Sequence, residues 1–416
     1  MKTNPARLEE VALPRRAQQR ASGHPPPPAM ALLGCAAGAL DGLRALLIAV
    51  IGCGSIGGRI AVLLARMGLG GLLLVDPKSY KPASLPTHEI DPEDVGKSKA
   101  QAVARRCKAV SPATRVAAFP GPVEALDLAA MADASAVVMA PDLLSVEIEA
   151  GQRSLWLSKP LIHASVHGPT LTVQVRLFGN AGGAGACPRC LYGRAELDLL
   201  ARQARFSCEG GPAAAAPRPH EAPATNSLGA ICSMAASLGV LQILRHLLGL
   251  GEPVADTMLE YCGFTHRTVI SPLERNPKCP SDHTRLGQAA VSEPLAGRSL
   301  AEAVQQATGV PAPPDAQFEI AGHDWVEFAG CGCERPAPVR RFIARGRADL
   351  GQCPRCGAMR VPLQFHTYRA VSAAILGAAI GRPLRRLGVR RAVSILLRTG
   401  DAGTLIRPQP ANPSSP

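Results

Sequence analysis

The stretch Ala45-Leu-Leu-Ile-Ala-Val-Ile-Gly-Cys-Gly-Ser-Ile-Gly57 decides the fold. Its first seven residues are an unbroken apolar run of strand length, the pattern of a strand buried on both faces. Gly52, Gly54 and Gly57 follow at once, and Ile60 to Met67 then has helical periodicity. A glycine turn between a buried strand and a helix is where a phosphate belongs. The first glycine permits the turn, the second lets backbone approach a phosphate, and the third lets helix and strand pack closely. Gly71-Leu-Leu-Leu-Val75 repeats the strand pattern and closes on Asp76, 19 residues after Gly57 and placed to accept hydrogen bonds from a ribose. Further out, a helix over Asp94–Val110 and strands over Arg115–Phe119, Ala134–Ala140 and Pro160–Ser165 continue the alternation. The expected fold class is therefore α/β, a doubly wound, mostly parallel, Rossmann-like sheet. Up to this point the identity of the nucleotide stays open.

Composition narrows the function classes. The 416 residues suffice for two or three domains, and 47% apolar with 19% charged residues excludes a disordered chain. Aromatic residues make up 3%, too few for base-stacking platforms. The net charge of +13 comes from 45 basic residues, of which 37 are arginine, scattered apart from a cluster at Arg382–Arg391. With Ala, Gly and Pro so abundant, compositional bias explains this better than nucleic-acid binding, although an acidic partner fits the charge. Residues 1–30 are charged and proline-rich, without the apolar core of a secretory signal. The most apolar stretch, Ile231–Leu250, is interrupted by Arg245 and His246, which argues against a membrane span. Cytoplasm is the expected compartment.

Thirteen cysteines are present, and several sit in short paired spacings that read as metal ligands rather than disulfides. Cys187 and Cys190 form a Cys-x-x-Cys, whose thiolates chelate one tetrahedral zinc from a tight turn. Cys331, Cys333, Cys353 and Cys356, with Gly332 and Gly357 at the turns and a strand-like Val339–Ala344 between the pairs, read as a small zinc ribbon. A closed four-thiolate shell leaves no open coordination position, so its role is structural. Leu171–Phe178 alternates like an antiparallel strand, Gly210–Asn226 has neither period, and Ser227–Leu250 reads as a long apolar helix.

Asp94-Val-Gly-Lys-Ser-Lys99, Asp142 after the fourth strand, Cys187-Pro-Arg-Cys190 and Arg275-Asn-Pro-Lys-Cys279 occur in an order that decides between nucleotides. From about Ala45 to His283 the chain resembles the ubiquitin-activating-enzyme-like superfamily, the ThiF/MoeB/HesA adenylyltransferases. The resemblance implies use of ATP and magnesium (Mg2+) to adenylate the C-terminal glycine carboxylate of a ubiquitin-like or sulfur-carrier protein, and a homodimer. It matches Gly52, Gly54, Ser55 and Gly57 to the phosphate turn, Asp76 to the ribose acid, Lys99 to the triphosphate lysine and Asp142 to the magnesium aspartate. It implies a zinc (Zn2+) site in which Cys279 joins Cys187 and Cys190. Asp282 stands where the last cysteine falls in relatives, and His283 is the better substitute, an Asp282 oxygen being the other. Cys208, in the crossover loop 206–226, matches the place of a reactive cysteine that receives the acyl group; Arg202 or Arg205 would lower its pKa.

The departures are as informative. The family's Asn-Leu-x-Arg-Gln or Asn-Leu-x-Arg-His is Ser84-Leu-Pro-Thr-His88 here, and the asparagine after the magnesium aspartate is Leu143. Either His88 or another basic residue, such as Arg16 or Arg20 from a partner's arm, supplies the missing charge, or the chain is a degenerate, non-catalytic nucleotide- or carrier-binding member. An NAD-dependent oxidoreductase is the more distant alternative; it shares the glycine turn and Asp76 but leaves Lys99, Asp142 and the cysteine pairs unexplained. The expected organisation is a basic arm over 1–30, an adenylation domain over 31–290, a C-terminal domain over 291–406 carrying the cysteine cluster 331–356, and a frayed tail over 407–416.

Overall fold

A computed structural model describes residues 7–10, 38–180, 185–198, 200, 227–252, 254–292, 295–333, 336–345, 350–390 and 393–409. It divides into two compact units. The larger comprises Ala6–Val123 and Asp133–His283, the smaller Thr284–Pro416 with Glu124–Ala132.

The larger unit is built on one nine-stranded sheet. Strands β1 (Glu9–Glu10), β2 (Leu47–Ile51), β3 (Gly71–Val75), β4 (Arg115–Phe119), β5 (Ala136–Met139), β6 (Leu161–His167), β7 (Thr172–Phe178), β8 (Thr257–Cys262) and β9 (Arg267–Pro272) lie in the order β1-β4-β3-β2-β5-β6-β7-β8-β9. From β4 to β6 the neighbours are parallel. β7, β8 and β9 extend the sheet antiparallel on one side, and β1 pairs antiparallel with β4 on the other. The expected Rossmann-like parallel core is thus present.

Helices α1 (Gly38–Ala45), α2 (Gly57–Arg66), α3 (Lys99–Val110), α4 (Leu144–Leu157) and α5 (Gly229–Leu248) complete the unit. Ala45, expected to open the first strand, ends α1 instead, and the α3 expectation shortens because Pro92–Asp94 forms a separate 3-10 turn. Ile48, Ala49, Val50 and Ile51 are buried to 2% exposure or less, consistent with a strand covered on both faces. Each such aliphatic side chain is worth roughly 1.5–3 kcal/mol of burial. α5 is long and apolar enough to cross a membrane by composition, but half of that window is buried in the unit. Its Ile231, Ala235, Gly239 and Ile243 turn inward at helical spacing.

The smaller unit has two sheets. One orders β10 (Gly287–Val291), β18 (Ala402–Pro408), β17 (Ile395–Thr399), β11 (Gln317–Ile320) and β16 (Ala370–Ser372), with only β10 and β18 parallel. The other places β12 (His323–Gly330) between β13 (Ala337–Ala344) and β14 (Val361–Pro362), with β15 (Thr367–Tyr368) also on β12. Helix α6 (Leu300–Thr308) starts with a capping box, Ser299 accepting from the Glu302 amide and Glu302 from the Ser299 amide. Phe318, Trp325, Phe342, Leu384 and Ile406 are among the residues of a core of its own. The expected ribbon is therefore one corner of a larger β unit.

Candidate active site

The glycine turn ends β2 at the carboxyl edge of the parallel strands, the usual ligand edge of such sheets. Gly52 has φ +91°, and a Cβ there would lie 2.8 Å from the Ala140 carbonyl oxygen. A Cβ on Gly57 would sit 1.9 Å from the Gly52 oxygen, so both glycines are required by the fold itself. Gly54 is different: its Cβ would meet only His88 Nε2, at 3.7 Å, so the turn keeps an open flank there.

Asp76 holds this turn. Its two oxygens accept from the Cys53 and Lys78 amides, each at 2.8 Å, and Tyr80 donates to the Cys53 carbonyl. Burial raises the Asp76 pKa despite those amides and Lys99. Lys99 is the first residue of α3, with Nζ 5.5 Å above the Tyr80 ring. Asp142 is half-exposed, 3.6 Å from Lys78 Nζ, and two residues ahead of α4, whose N-cap position is Leu143. His88 feels the charges of Lys99, Arg59 and Asp142. Burial first, then Lys99, pushes its pKa down to about 4, so the ring is neutral at neutral pH in the free protein. Lys78 and Arg59 were not singled out in the sequence. Lys78 had one signal, its place two residues past the strand-end acid; Arg59 had only its oddity as a cation in the first turn of a helix.

The metal-ligating expectations converge in space. Cys187 Sγ lies 3.7 Å from both Cys190 Sγ and Cys279 Sγ, and His283 Nε2 lies 3.6 Å from Cys190 Sγ. Metal–sulfur bonds of about 2.3 Å in a tetrahedron space sulfurs about 3.8 Å apart, so the donor set fits one zinc. Burial, then the charge of Cys190, pushes the Cys187 thiol up to about 12, so ligation at neutral pH has to displace protons. Asp282 stands outside the four donors: its carboxylate accepts from the Trp156 indole at 3.1 Å. Cys331, Cys333, Cys353 and Cys356 form a second four-donor group, all within 4.8 Å of one another. Cys208, Arg16, Arg20, Arg202 and Arg205 lie outside the described residues.

Next to the first cluster runs a buried polar network that nothing in the sequence announced. Tyr192 donates to Glu147 on α4, Glu147 lies 3.7 Å from His163 Nε2, and Arg176 Nη1 lies 3.2 Å from His163 Nδ1. A guanidinium only donates, so Nδ1 is the unprotonated nitrogen. Burial, then Arg176, lowers the His163 pKa to about 3, so the contact with Glu147 joins a neutral imidazole to a carboxyl rather than an ion pair.

The family model described as the ThiF family matches residues 29–281, more than half of the chain. The chain belongs to the ThiF family. A sulfur carrier protein adenylyltransferase of Thermus thermophilus is 26% identical over 245 residues, covering 57% of this chain and 82% of that protein. An ATP-dependent ubiquitin transferase-like protein Cap2 of Pseudomonas aeruginosa is 32% identical over 158 residues, 35% of this chain; the match spans 26% of Cap2. Among solved structures, Escherichia coli MccB aligns at a TM-score of 0.46 with 18% identity, covering 58% of this ThiF-family chain and 68% of MccB.

Proposed function

We propose that this ThiF-family protein adenylates the C-terminal carboxylate of a ubiquitin-like or sulfur-carrier protein at the expense of ATP, in the cytoplasm and as a homodimer. The observation that carries the reading is the convergence of the open Gly54 flank, Lys99, His88 and Asp142 at one edge of the sheet. A lysine and a carboxylate beside the turn suit a triphosphate with its metal better than a nicotinamide dinucleotide.

In this reading a carrier carboxylate oxygen attacks the α-phosphorus, the new O–P bond forms as the bond to the bridging oxygen breaks, and pyrophosphate leaves with the electron pair. The chain positions reactants and stabilises charge rather than bonding covalently to phosphorus. Amides of the turn and the N-terminus of α2 face the phosphates. Lys99 meets the charge growing on pyrophosphate, as a compact cation that needs no rearrangement. Asp142 would hold Mg2+, which when bound would neutralise phosphate charge; Lys78 Nζ lies 3.6 Å from the same carboxylate. Cys187, Cys190, Cys279 and His283 would hold one zinc and the four C-terminal cysteines another, both structural. Transfer of the acyl group to Cys208 is the further step the resemblance suggests.

A second reading, a non-catalytic binder of nucleotide or carrier, is favoured by Thr87, where the family has its arginine. ATP–pyrophosphate exchange with a carrier ending in Gly-Gly separates the two. Lys99→Ala and Asp142→Ala are each expected to lower exchange by about tenfold or more with the melting profile unchanged. Full exchange in both variants removes the adenylation reading.

A further inference from the structure

We propose that Arg59 is the positioning cation of the nucleotide site, supplying from the phosphate-turn helix the positive charge that the segment Ser84–His88 lacks, and with it preference for a nucleoside triphosphate over a monophosphate. The inference rests on the adenylation reading and adds to it a residue that the family resemblance does not supply.

Arg59 is the third residue of α2, at the end where the helix dipole is positive, and no acid stands in that first turn to offset it. A cation there opposes the local field. Its side chain is nonetheless 12% exposed, folded into the protein rather than out to water. Nη1 donates to the Ser55 carbonyl at 2.5 Å, in the phosphate turn, and to the Thr87 carbonyl at 2.6 Å. One guanidinium thus ties the turn to the very residue whose side chain brings no charge. Nε has no hydrogen bond and lies 3.8 Å from Glu89, itself about half exposed. Nη2 lies 3.8 Å from where a Cβ on Gly229, the first residue of α5, would be.

Nε is thus a buried donor without a hydrogen bond on a nearly buried cation, an arrangement that costs stability unless an anion completes it. Thr87 is uncharged and His88 is held neutral, so among these neighbours the positive charge belongs to Arg59 and Lys99. The cleft that Arg59 lines with Tyr80, Glu89, Asp94 and Arg106 also has Gly54, the open flank of the turn, in its wall. Glu89 is the counter-charge without nucleotide, and its exposure lets it give way. Arg59 then adds charge to the phosphate end and keeps Ser55 and the 84–88 segment in register, a positioning role.

The test is calorimetric titration of the full chain with Mg·ATP and with AMP, alongside pyrophosphate exchange. Arg59→Gln is expected to weaken ATP at least about tenfold and AMP less than about threefold, the scale of one lost charge-stabilising group. Adding Thr87→Arg to that variant is expected to recover most of the ATP loss. ATP affinity equal to wild type in Arg59→Gln, or equal losses for ATP and AMP, overturns the proposal while wild-type exchange keeps the adenylation reading. Wild type that neither binds ATP nor exchanges overturns both. Should Arg59→Gln melt before it can be titrated, Arg59→Lys decides: it keeps the charge and gives up the paired carbonyl contacts. Retained ATP-over-AMP preference supports Arg59 as the cation, and lost preference in a folded Arg59→Lys protein overturns it.

Discussion

The two four-donor clusters have similar ligands and differ in how far the fold covers and frames them. In the first, Cys187 and Cys190 are buried, and the donors come from segments about ninety residues apart. Gly151 on α4 lets Pro188 pack 2.8 Å from where a Cβ would be, and Gln152 exchanges side-chain hydrogen bonds with the Asp282 backbone. In the second, Cys353 is buried, Cys331 and Cys333 are partly covered and Cys356 is exposed. Its 351–360 knuckle is held by its own short bonds, Cys353 N to the Ala358 oxygen and Arg360 N to the Gly351 oxygen. The first cluster is therefore expected to be pre-formed by sheet and helix, and the second to depend on the metal its donors would hold. Metal-derived stability should be concentrated where other stabilisation is poor.

That contrast breaks or stands on metal removal, where the largest effect is expected. Structural zinc is worth on the order of 10 kcal/mol or more where it organises a knuckle. Cys353→Ser should lower zinc from two ions per chain to one and abolish amide protection across 351–360, with the five-stranded sheet of the smaller unit still protected. Cys279→Ser should also remove one zinc yet leave the nine-stranded sheet protected, because the apolar cluster around β2, β3 and α2 does not include the ligands. A chelator followed by a metal-sensitive dye should release one equivalent at least about tenfold faster than the other, and Cys353→Ser should delete the fast phase. Hydrogen exchange showing both regions equally protected without metal would erase the distinction.

The next effect is smaller and tests whether the first cluster is wired to the sheet by polar contacts. Two residues past Cys190, Tyr192 reaches Glu147, and Glu147 reaches His163. His163 ordinarily titrates near 6.5 but near 3 in the folded protein, so the unfolded chain takes a proton first as pH falls. Its contribution is complete above pH 6.5 and is lost progressively toward pH 3. Between pH 7 and pH 5 the loss is about 2 kcal/mol. Glu147, raised by burial, acts in the opposite sense, so the measurement is a difference. His163→Asn, which keeps an acceptor for Arg176, should lose less unfolding free energy over that interval than wild type. Parallel pH profiles for the two proteins would mean that His163 is not held neutral.

How much of this was legible follows from how local each signal is. β2, β3 and β4 match expectation within two residues because each is a short run ending at punctuation: Gly52, Asp76, Pro120. β8 and β9 escaped notice: β8 is half-buried throughout and β9 mostly exposed, so neither period-2 alternation nor a fully apolar run marks them. β10 pairs with β18 across more than a hundred residues, a register that local pattern cannot specify. The site divides the same way. Gly52, Lys99, Asp142 and both cysteine sets stand in motifs, whereas Arg59 and His163 gain meaning only from the Thr87 carbonyl and from Glu147, which tertiary folding brings to them.

The smallest effect concerns Asp282, which the sequence left as a rival ligand to His283. The Trp156 indole donates to its carboxylate at 3.1 Å, and Gln152 engages its backbone amide and carbonyl, so Asp282 anchors the ligand segment to α4. Thiolate-rich sites favour imidazole over carboxylate, and His283 presents Nε2 toward Cys190. Asp282→Ala should therefore cost about 1 kcal/mol, the scale of one lost hydrogen bond with its donor left unpaired. Zinc should stay at two per chain, with affinity at the first cluster reduced rather than abolished, as for a group that orients a ligand. His283→Ala should show the reverse, losing the metal. Because the backbone contacts of Gln152 survive in Asp282→Ala, loss of the zinc there would mean that the carboxylate itself ligates, and the fourth position would pass from His283 to Asp282.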